Sequence, residues 1–256
     1  MMKLGFLGVG AIASAAIEGI AADSEHAITV SQRGKVYVSR LTASFAHIVA
    51  ADNQTVVDRS DVLFLGSTAD AAPVMLQPLQ FRADQQVVSF MVGISVATLQ
   101  ALVAPAQLVT QMIPFPSIAL GGSPILIYPD APVVEAVFGT RNTVLALRSE
   151  ADFKDYLAAQ AVLSPVLKML STTSLWLGEK TGDSHAAEQF LRLLVGGSIA
   201  AAPIETRDVL ADMLASLNTP GGLNAQLREY MGERQVYGHL QGGLDVLSQR
   251  LAADKG

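Results

Sequence analysis

The sequence predicts an α/β fold whose second half is all α, and three observations carry that prediction. Short β-branched runs alternate with helical stretches through the first half of the 256 residues, the pattern of βαβ units building a parallel sheet. A glycine-rich turn leads from the first such run straight into a helix. Beyond about Ala151 the chain changes to long Ala/Leu-rich segments with a helical period and no strand-like alternation. The two parts are therefore residues 1–150 and 151–256.

Taken in order, Lys3 to Leu7 is the first strand, followed by a helix from Ser14 to Ala22 and a second strand from Ala27 to Ser31. Between Arg33 and Asp61 the runs VYVSRL and FAHIVA fit helix or strand, because short apolar runs do not decide between them. Val62 to Gly66, Val87 to Val92 and Leu108 to Ile113 are further strands, and Ile125 to Tyr128 and Thr143 to Leu147 add edge strands. The second part is expected to hold helices over Phe153 to Leu170, His185 to Ala202, Glu205 to Leu217 and Glu233 to Ala253. TTSLWLGEKTGDS, Pro203 and the stretch SLNTPGGLN, Ser216 to Asn224, separate them. In that last stretch Thr219 is expected to cap a helix, with Pro220 at its first position and Leu223 to Met231 continuing it. Asp183 or Ser184 suits the cap of the His185 helix, and Gly196-Gly197-Ser198 within it suits close helix packing.

With 50% hydrophobic and 16% charged residues, the chain has ample apolar surface to bury and should be globular. No apolar run approaches the roughly 18 to 20 residues a membrane-spanning helix needs, and MMKLGFLG lacks the features of a signal peptide, so a soluble cytoplasmic protein is expected. The absence of cysteine removes disulfides, thiolate metal sites and cysteine nucleophiles, and the four histidines are too scattered for a zinc site. A net charge of -6 without a Lys/Arg cluster argues against nucleic acid and leaves a small molecule or a protein as partner. Ala/Leu/Val-rich helices with only 6% aromatics point to apolar surface shared between subunits, hence a dimer.

The turn after the first strand reads Gly8-Val9-Gly10-Ala11-Ile12-Ala13, a G-x-G-x-x-A motif set between strand and helix. In that context Gly8 permits the tight turn, Gly10 lets the backbone approach a pyrophosphate, and Ala13 permits close packing of helix on strand. The free N–H groups and positive dipole end of the helix then face the phosphates. The first domain is thus expected to be a Rossmann dinucleotide-binding domain. After the second strand, where an acidic residue would hold the ribose hydroxyls of NAD, the chain carries Ser31, Arg33 and Lys35 instead. One hydroxyl and two cations favour NADP(H), with NAD(H) possible should Arg33 be only a solvated loop charge.

These features, with SDVLFLGS at 60–67, VVSFMVGIS at 87–95 and Thr219-Pro220-Gly221-Gly222, resemble the pyrroline-5-carboxylate reductase family, the last enzymes of proline biosynthesis, over nearly the whole chain. The resemblance implies a cofactor-binding N-terminal domain, a helical domain that interlocks with a partner's to form a homodimer or higher oligomer, and a substrate pocket between the two. It implies that Gly8, Val9, Gly10, Ala11 and Ile12 cradle the pyrophosphate, that Ser31 and Arg33 hold the extra phosphate, and that Asn53 lies near the adenosine. Ser67 and Met112 would complete the cofactor site. Gly221, Gly222 and Leu223 would bind the substrate, with Thr219 and Asn224 nearest the chemistry.

The departures gather on the substrate side. Ser67-Thr68-Ala69 stands where the family has Lys-Pro-Gln, Met112-Ile113-Pro114-Phe115-Pro116 where it has Met-Pro-Asn-Thr-Pro, and Ala159 to Leu163 where it has Ser-Gly-Ser-Gly. Leu223-Asn224 replaces two threonines, so an amide takes the place of the hydroxyl credited with holding the imine nitrogen. Reduction of a cyclic imine needs little more from the protein than a positioned nicotinamide and donors for a carboxylate. No Lys or His stands in a helix motif suited to general acid–base work, and His185 reads as a helix-start residue. Three readings follow: a pyrroline-5-carboxylate reductase yielding L-proline, the same scaffold acting on another small imino or carbonyl compound, or a non-catalytic nucleotide sensor.

Overall fold

The computed structural model describes residues 1–204 and 206–253, so the expected helix start at Glu205 lies outside the described residues. The described chain divides into two compact units, Met1–Tyr156 with residues 252–253, and Leu157–Leu251. The boundary expected at residue 150 falls at the start of a helix, Glu150–Ala159, within which the units divide.

Unit one is built on an eight-stranded sheet of β1 (Lys3–Leu7), β2 (Ala27–Ser31), β3 (Ile48–Ala51), β4 (Val62–Leu65), β5 (Gln86–Ser89), β6 (Leu108–Pro114), β7 (Pro124–Tyr128) and β8 (Thr143–Ala146). Their order is β3-β2-β1-β4-β5-β6-β7-β8, every neighbouring pair parallel except β6 and β7. The order reverses beside β1, and the carboxyl ends of β1 and β4 there open the crevice where ligands bind in open parallel sheets.

Helices cover both faces, and each core follows from strand alternation. On one side Leu4, Phe6, Ile28, Val30, Val62 and Phe64 pack against α1 (Ala11–Asp23) and α2 (Lys35–Ser44). On the other, Leu7, Leu63, Leu65, Val87 and Val109 meet α3 (Asn53–Asp58), α4 (Ala72–Leu76) and α5 (Val96–Leu102). The first core continues to α6 (Pro132–Phe138). Phe64 stacks on Phe6 at 4.6 Å between ring centroids and meets Phe90 and Phe138, each at 5.7 Å. Of the two ambiguous runs, VYVSRL is helix α2, with Val38 and Leu41 turned to the core, and FAHIVA leads into strand β3. The strand expected over Val87 to Val92 ends at Ser89, and the residues after it form a loop.

Beyond α7 (Glu150–Ala159), unit two is helical: α8 (Leu163–Thr181), α9 (Ser184–Ala200), α10 (Val209–Ser216), α11 (Leu223–Glu233) and α12 (Val236–Ala253). Three expectations need correction. The helix expected over Phe153 to Leu170 is interrupted by a 3₁₀ turn, Gln160–Val162. TTSLWLGEKT is no separator, for α8 runs through it to Thr181. Its threonines are satisfied within the helix, the hydroxyls of Thr172, Thr173 and Thr181 donating to the carbonyls of Lys168, Met169 and Leu177 at 2.8, 3.0 and 2.9 Å. Gly182, at φ +77°, ends it, and Asp183 caps α9 by accepting from the Ala186 N–H at 2.9 Å. Thr219 caps nothing. The cap position of α11 is Gly222, whose N–H donates to the Thr219 carbonyl at 2.8 Å, so Pro220 lies in a turn ahead of the helix. Among the described residues no helix is long and apolar enough to cross a membrane.

Candidate functional site

The glycine turn is set by close backbone contacts that only glycines permit. Gly8, at φ +88°, leaves β1 against Gly66 at the end of β4, where a Cβ would stand 2.4 Å from the Gly8 carbonyl oxygen. Gly34, at φ +93°, presses on the same turn from the start of α2, where a Cβ would meet the Val9 carbonyl at 2.1 Å. The Gly8 N–H donates to the Ser31 hydroxyl at 2.8 Å. Ser31 is 1% exposed, so its side chain braces the turn from within rather than standing open to a phosphate.

Gly10 differs from its neighbours. A Cβ there would meet nothing within 4 Å, which leaves its backbone open for close approach by a ligand. It occupies the cap position of α1 in extended geometry, φ -93° and ψ -169°, and no side chain caps the helix. Its carbonyl accepts from the Ser14 N–H at 2.9 Å, and no acidic residue stands in the first turn to neutralise the dipole. The N–H groups of this turn fit an anion, and the open Gly10 surface leaves room for its close approach. Behind it, Arg40 bonds Glu18 and Ser14 and ties α2 to α1.

Beside Gly10 opens a cleft of ≈ 370 Å³ lined by Gly10 to Ala13, Gly66, Phe90, Val92, Ile113 and Pro114. It is mostly apolar and runs across the carboxyl ends of β4, β5 and β6; none of its lining residues is titratable. Met112, expected at the cofactor, is fully buried in the core beneath this strand end, and the neighbouring Ile113 and Pro114 line the cleft in its place. Side chains alternate across a strand, which turns Met112 to the face opposite Ile113. Ser67 follows Gly66, with its hydroxyl on the Thr68 carbonyl at 3.2 Å and the Met91 sulfur at 3.3 Å.

On the other side of the turn lie the carboxyl ends of β2 and β3. Arg33 and Lys35 are exposed and take part in no ion pair among the described residues. Asn53 opens α3, half-buried. Asp52 caps that helix, its two carboxylate oxygens accepting from the Thr55 N–H at 3.0 Å and the Thr55 hydroxyl at 2.6 Å. The Thr55 hydroxyl, followed by its N–H, holds the Asp52 carboxyl below the usual carboxylate range.

In unit two, Gly221 at φ +71° turns the chain, its carbonyl accepting from Gln226 Nε2 at 3.0 Å. Gly222 precedes α11 without a side-chain cap, and Leu223 and Asn224 stand on the exposed side of its first turn, Leu223 at 85% exposure. Ala225 alone of that turn is buried. His185 is exposed in the first turn of α9, and no cluster of metal-ligating residues occurs among the described residues. Sequence reasoning missed Gly34 and Gly66 as parts of the site. The glycine at each place was visible, but the contact that demands it is made with a distant segment.

The turn, the uncapped helix and the position beside the order reversal define a dinucleotide-binding fold of the Rossmann type. Residues 3–93 match the family model described as NADP oxidoreductase, coenzyme F420-dependent. By sequence, no curated protein matches the chain. Solved structures are similar over the full length: a pyrroline-5-carboxylate reductase from Coxiella burnetii, at 15% identity and TM-score 0.85, covers 100% of this chain and 99% of its own. The Plasmodium falciparum pyrroline carboxylate reductase, solved with NADP bound, has 14% identity and TM-score 0.81 over 100% and 98%. The 1-pyrroline-5-carboxylate reductase of Streptococcus pyogenes has 19% identity and TM-score 0.79 over 98% of each chain. The chain thus has the fold of the pyrroline-5-carboxylate reductases.

Proposed function

We propose that the protein is an NADPH-dependent reductase that transfers hydride to the C=N bond of a small cyclic imino acid of the 1-pyrroline-5-carboxylate type, giving L-proline. The observation that carries this reading is the open Gly10 backbone at an uncapped helix start, continuous with an apolar cleft. Gly8 to Ile12 hold the pyrophosphate by their N–H groups, and Arg33 with Lys35 takes the extra phosphate of NADP. Asn53 lies toward the adenosine. Ile12, Phe90, Val92, Ile113 and Pro114 form the bed of the nicotinamide and exclude water from it. When bound, the reduced nicotinamide supplies the hydride. The bed has no proton donor, which suits a substrate that arrives already as an iminium. Within unit two, the uncapped first turn of α11 offers N–H groups suited to a carboxylate, and Asn224 offers its amide.

The helical unit serves as the dimer interface. Leu175, Trp176, Phe190, Leu193 and Leu194 on α8 and α9 are more than half exposed in the single chain, far more apolar surface than a monomer leaves to water. A Cβ at Gly196, Gly197, Gly242 or Gly243 would meet nothing within 4 Å, so these glycines have room for a partner's helices rather than serving contacts within the chain.

Purified protein with NADPH and 1-pyrroline-5-carboxylate should consume reduced-nicotinamide absorbance. Tight NADPH binding without turnover would refute this substrate. Leu223 and Asn224, in place of the threonines expected from the resemblance, favour as second reading another imino or carbonyl substrate of similar size. A reductive aminase from Aspergillus terreus, solved with NADPH and ethyl-5-oxohexanoate, shares part of the fold at TM-score 0.58 and 19% identity. A panel of cyclic imines and small ketones would separate the two readings.

A further inference from the structure

We propose that Gln111 is a positioning residue that sets the width of the apolar cleft by tying its two walls together, a role that rests on the cleft being the nicotinamide bed proposed above. One wall is the loop between β5 and α5, which contributes Phe90 and Val92, and the other is the end of β6, which contributes Ile113 and Pro114. Gln111 stands on β6 just ahead of that second wall, 6% exposed. Its Nε2 donates to the carbonyl of Ile94, in the loop of the first wall. Burying an amide costs free energy that this one bond offsets, and the bond serves neither the sheet ladder nor a helix cap.

The rest of the loop explains why this bond controls the cleft. Its start is held, since the Phe90 N–H donates to the Leu65 carbonyl at 2.9 Å and the Met91 N–H to the Ser89 hydroxyl at 3.1 Å. Its far end is held, since Ser95 caps α5 by accepting from the Thr98 N–H at 3.1 Å. Ser89 and Gln111 are direct partners on adjacent strands, so both buried polar side chains stand in one cross-strand row. Between the anchors Val92 is 49% exposed and Gly93, at φ +83°, has only the Ala69 methyl near its open side, at 3.9 Å. Val92 and Gly93 therefore have room to move when the Ile94 carbonyl loses its donor. Ile94 is itself 7% exposed, so that carbonyl must seek another partner and draw the loop with it.

The test compares Gln111→Met, Gln111→Glu and Gln85→Met in the full chain, by fluorescence titration of NADPH and by thermal melting. Gln85 is an equally buried glutamine whose Nε2 donates to the Val57 and Ser60 carbonyls at 2.7 and 2.9 Å, before β5 begins and apart from the cleft lining. Gln111→Met keeps the volume and loses the donor, and should weaken NADPH about tenfold. Gln85→Met should lower the melting temperature while leaving NADPH affinity within about twofold. Gln111→Glu can donate only when protonated, and burial raises its carboxyl, so its affinity should climb toward that of the native chain as pH falls from about 8 to about 6. NADPH binding by Gln111→Met equal to that of the native chain, or a flat pH response of Gln111→Glu, overturns the role. Should Gln111→Met fail to fold, the pH response of Gln111→Glu decides. A native chain that binds neither NADPH nor NADH refutes the reading of the cleft, and the role of Gln111 falls with it. Native binding with unaltered variants refutes the role alone.

Discussion

Gly10→Ala separates the fold of the glycine turn from its function. At φ -93° and ψ -169° the backbone of Gly10 is one that alanine adopts freely, and the added methyl meets no atom within 4 Å. Replacing glycine by alanine at a helix cap costs about 1 kcal/mol at most, so the melting temperature should fall by only a few degrees. In the proposed site the same methyl occupies the space through which a pyrophosphate reaches the N–H groups of α1. Displacing the phosphate far enough to lose one charge-assisted hydrogen bond costs about 1.5 to 3 kcal/mol, a loss of affinity of roughly 10- to 150-fold. Gly34→Ala should show the opposite order of effects. Its methyl would lie 2.1 Å from the Val9 carbonyl and demand a left-handed alanine, so destabilisation of about 3 kcal/mol or more precedes any change in binding. Fluorescence titration of NADPH beside calorimetric melting reads both quantities. Native-like NADPH affinity in a folded Gly10→Ala chain would refute the placement of the pyrophosphate.

Arg33→Ala should weaken NADPH about tenfold while changing NADH little, since an unpaired surface guanidinium gains a partner only from the added phosphate; equal losses would place that phosphate elsewhere. The Asp52 cap makes stability depend on acid. Because the folded carboxyl titrates below its unfolded value, its contribution is fully present above the unfolded pKa near 3.8 and is lost as pH falls through the depressed folded value. Asp52→Asn should therefore flatten the acid limb of a denaturation curve measured between about pH 5 and about pH 2, and an unchanged limb would mean the cap is unimportant there. Sedimentation equilibrium should give at least twice the chain mass, and Trp176→Glu, placing a charge on an exposed apolar face of α8, should lower the mass or the yield of folded protein. A native chain that stays monomeric at micromolar concentration would refute the interface.

What could be read from the sequence depended on how far each cause lies along the chain. Strands β1, β2 and β4 and the glycine turn are legible because alternation, turn and helix start all fall within a few neighbouring residues. Gly34 and Gly66 are not, because their need for glycine arises only when α2 and β4 are packed against the turn. The same distinction explains Ser31 and Met112. Both sit at strand ends where a ligand residue is expected, but which face a side chain takes is settled by the register of the sheet, and Met112 goes to the core while Ser31 meets the Gly8 N–H.

Unit two inverts the relation between pattern and packing. Its helices are legible by period, yet among the described residues few of their apolar side chains find cover within the chain, Ala187, Leu191 and Ala225 being exceptions. An amphipathic pattern normally names the face that a helix buries in its own domain. On α9 Ala187 and Leu191 are covered, while Leu194, one turn beyond Leu191, and Phe190 and Leu193 further round the helix remain exposed. A helix apolar on several sides is built to be enclosed, and one antiparallel neighbour, α8, cannot enclose it. In the proposed dimer a partner's helices supply that cover, and association is then a condition of stability for this unit rather than an addition to it. Dilution should then melt unit two before unit one, and hydrogen exchange resolved by segment would detect that order.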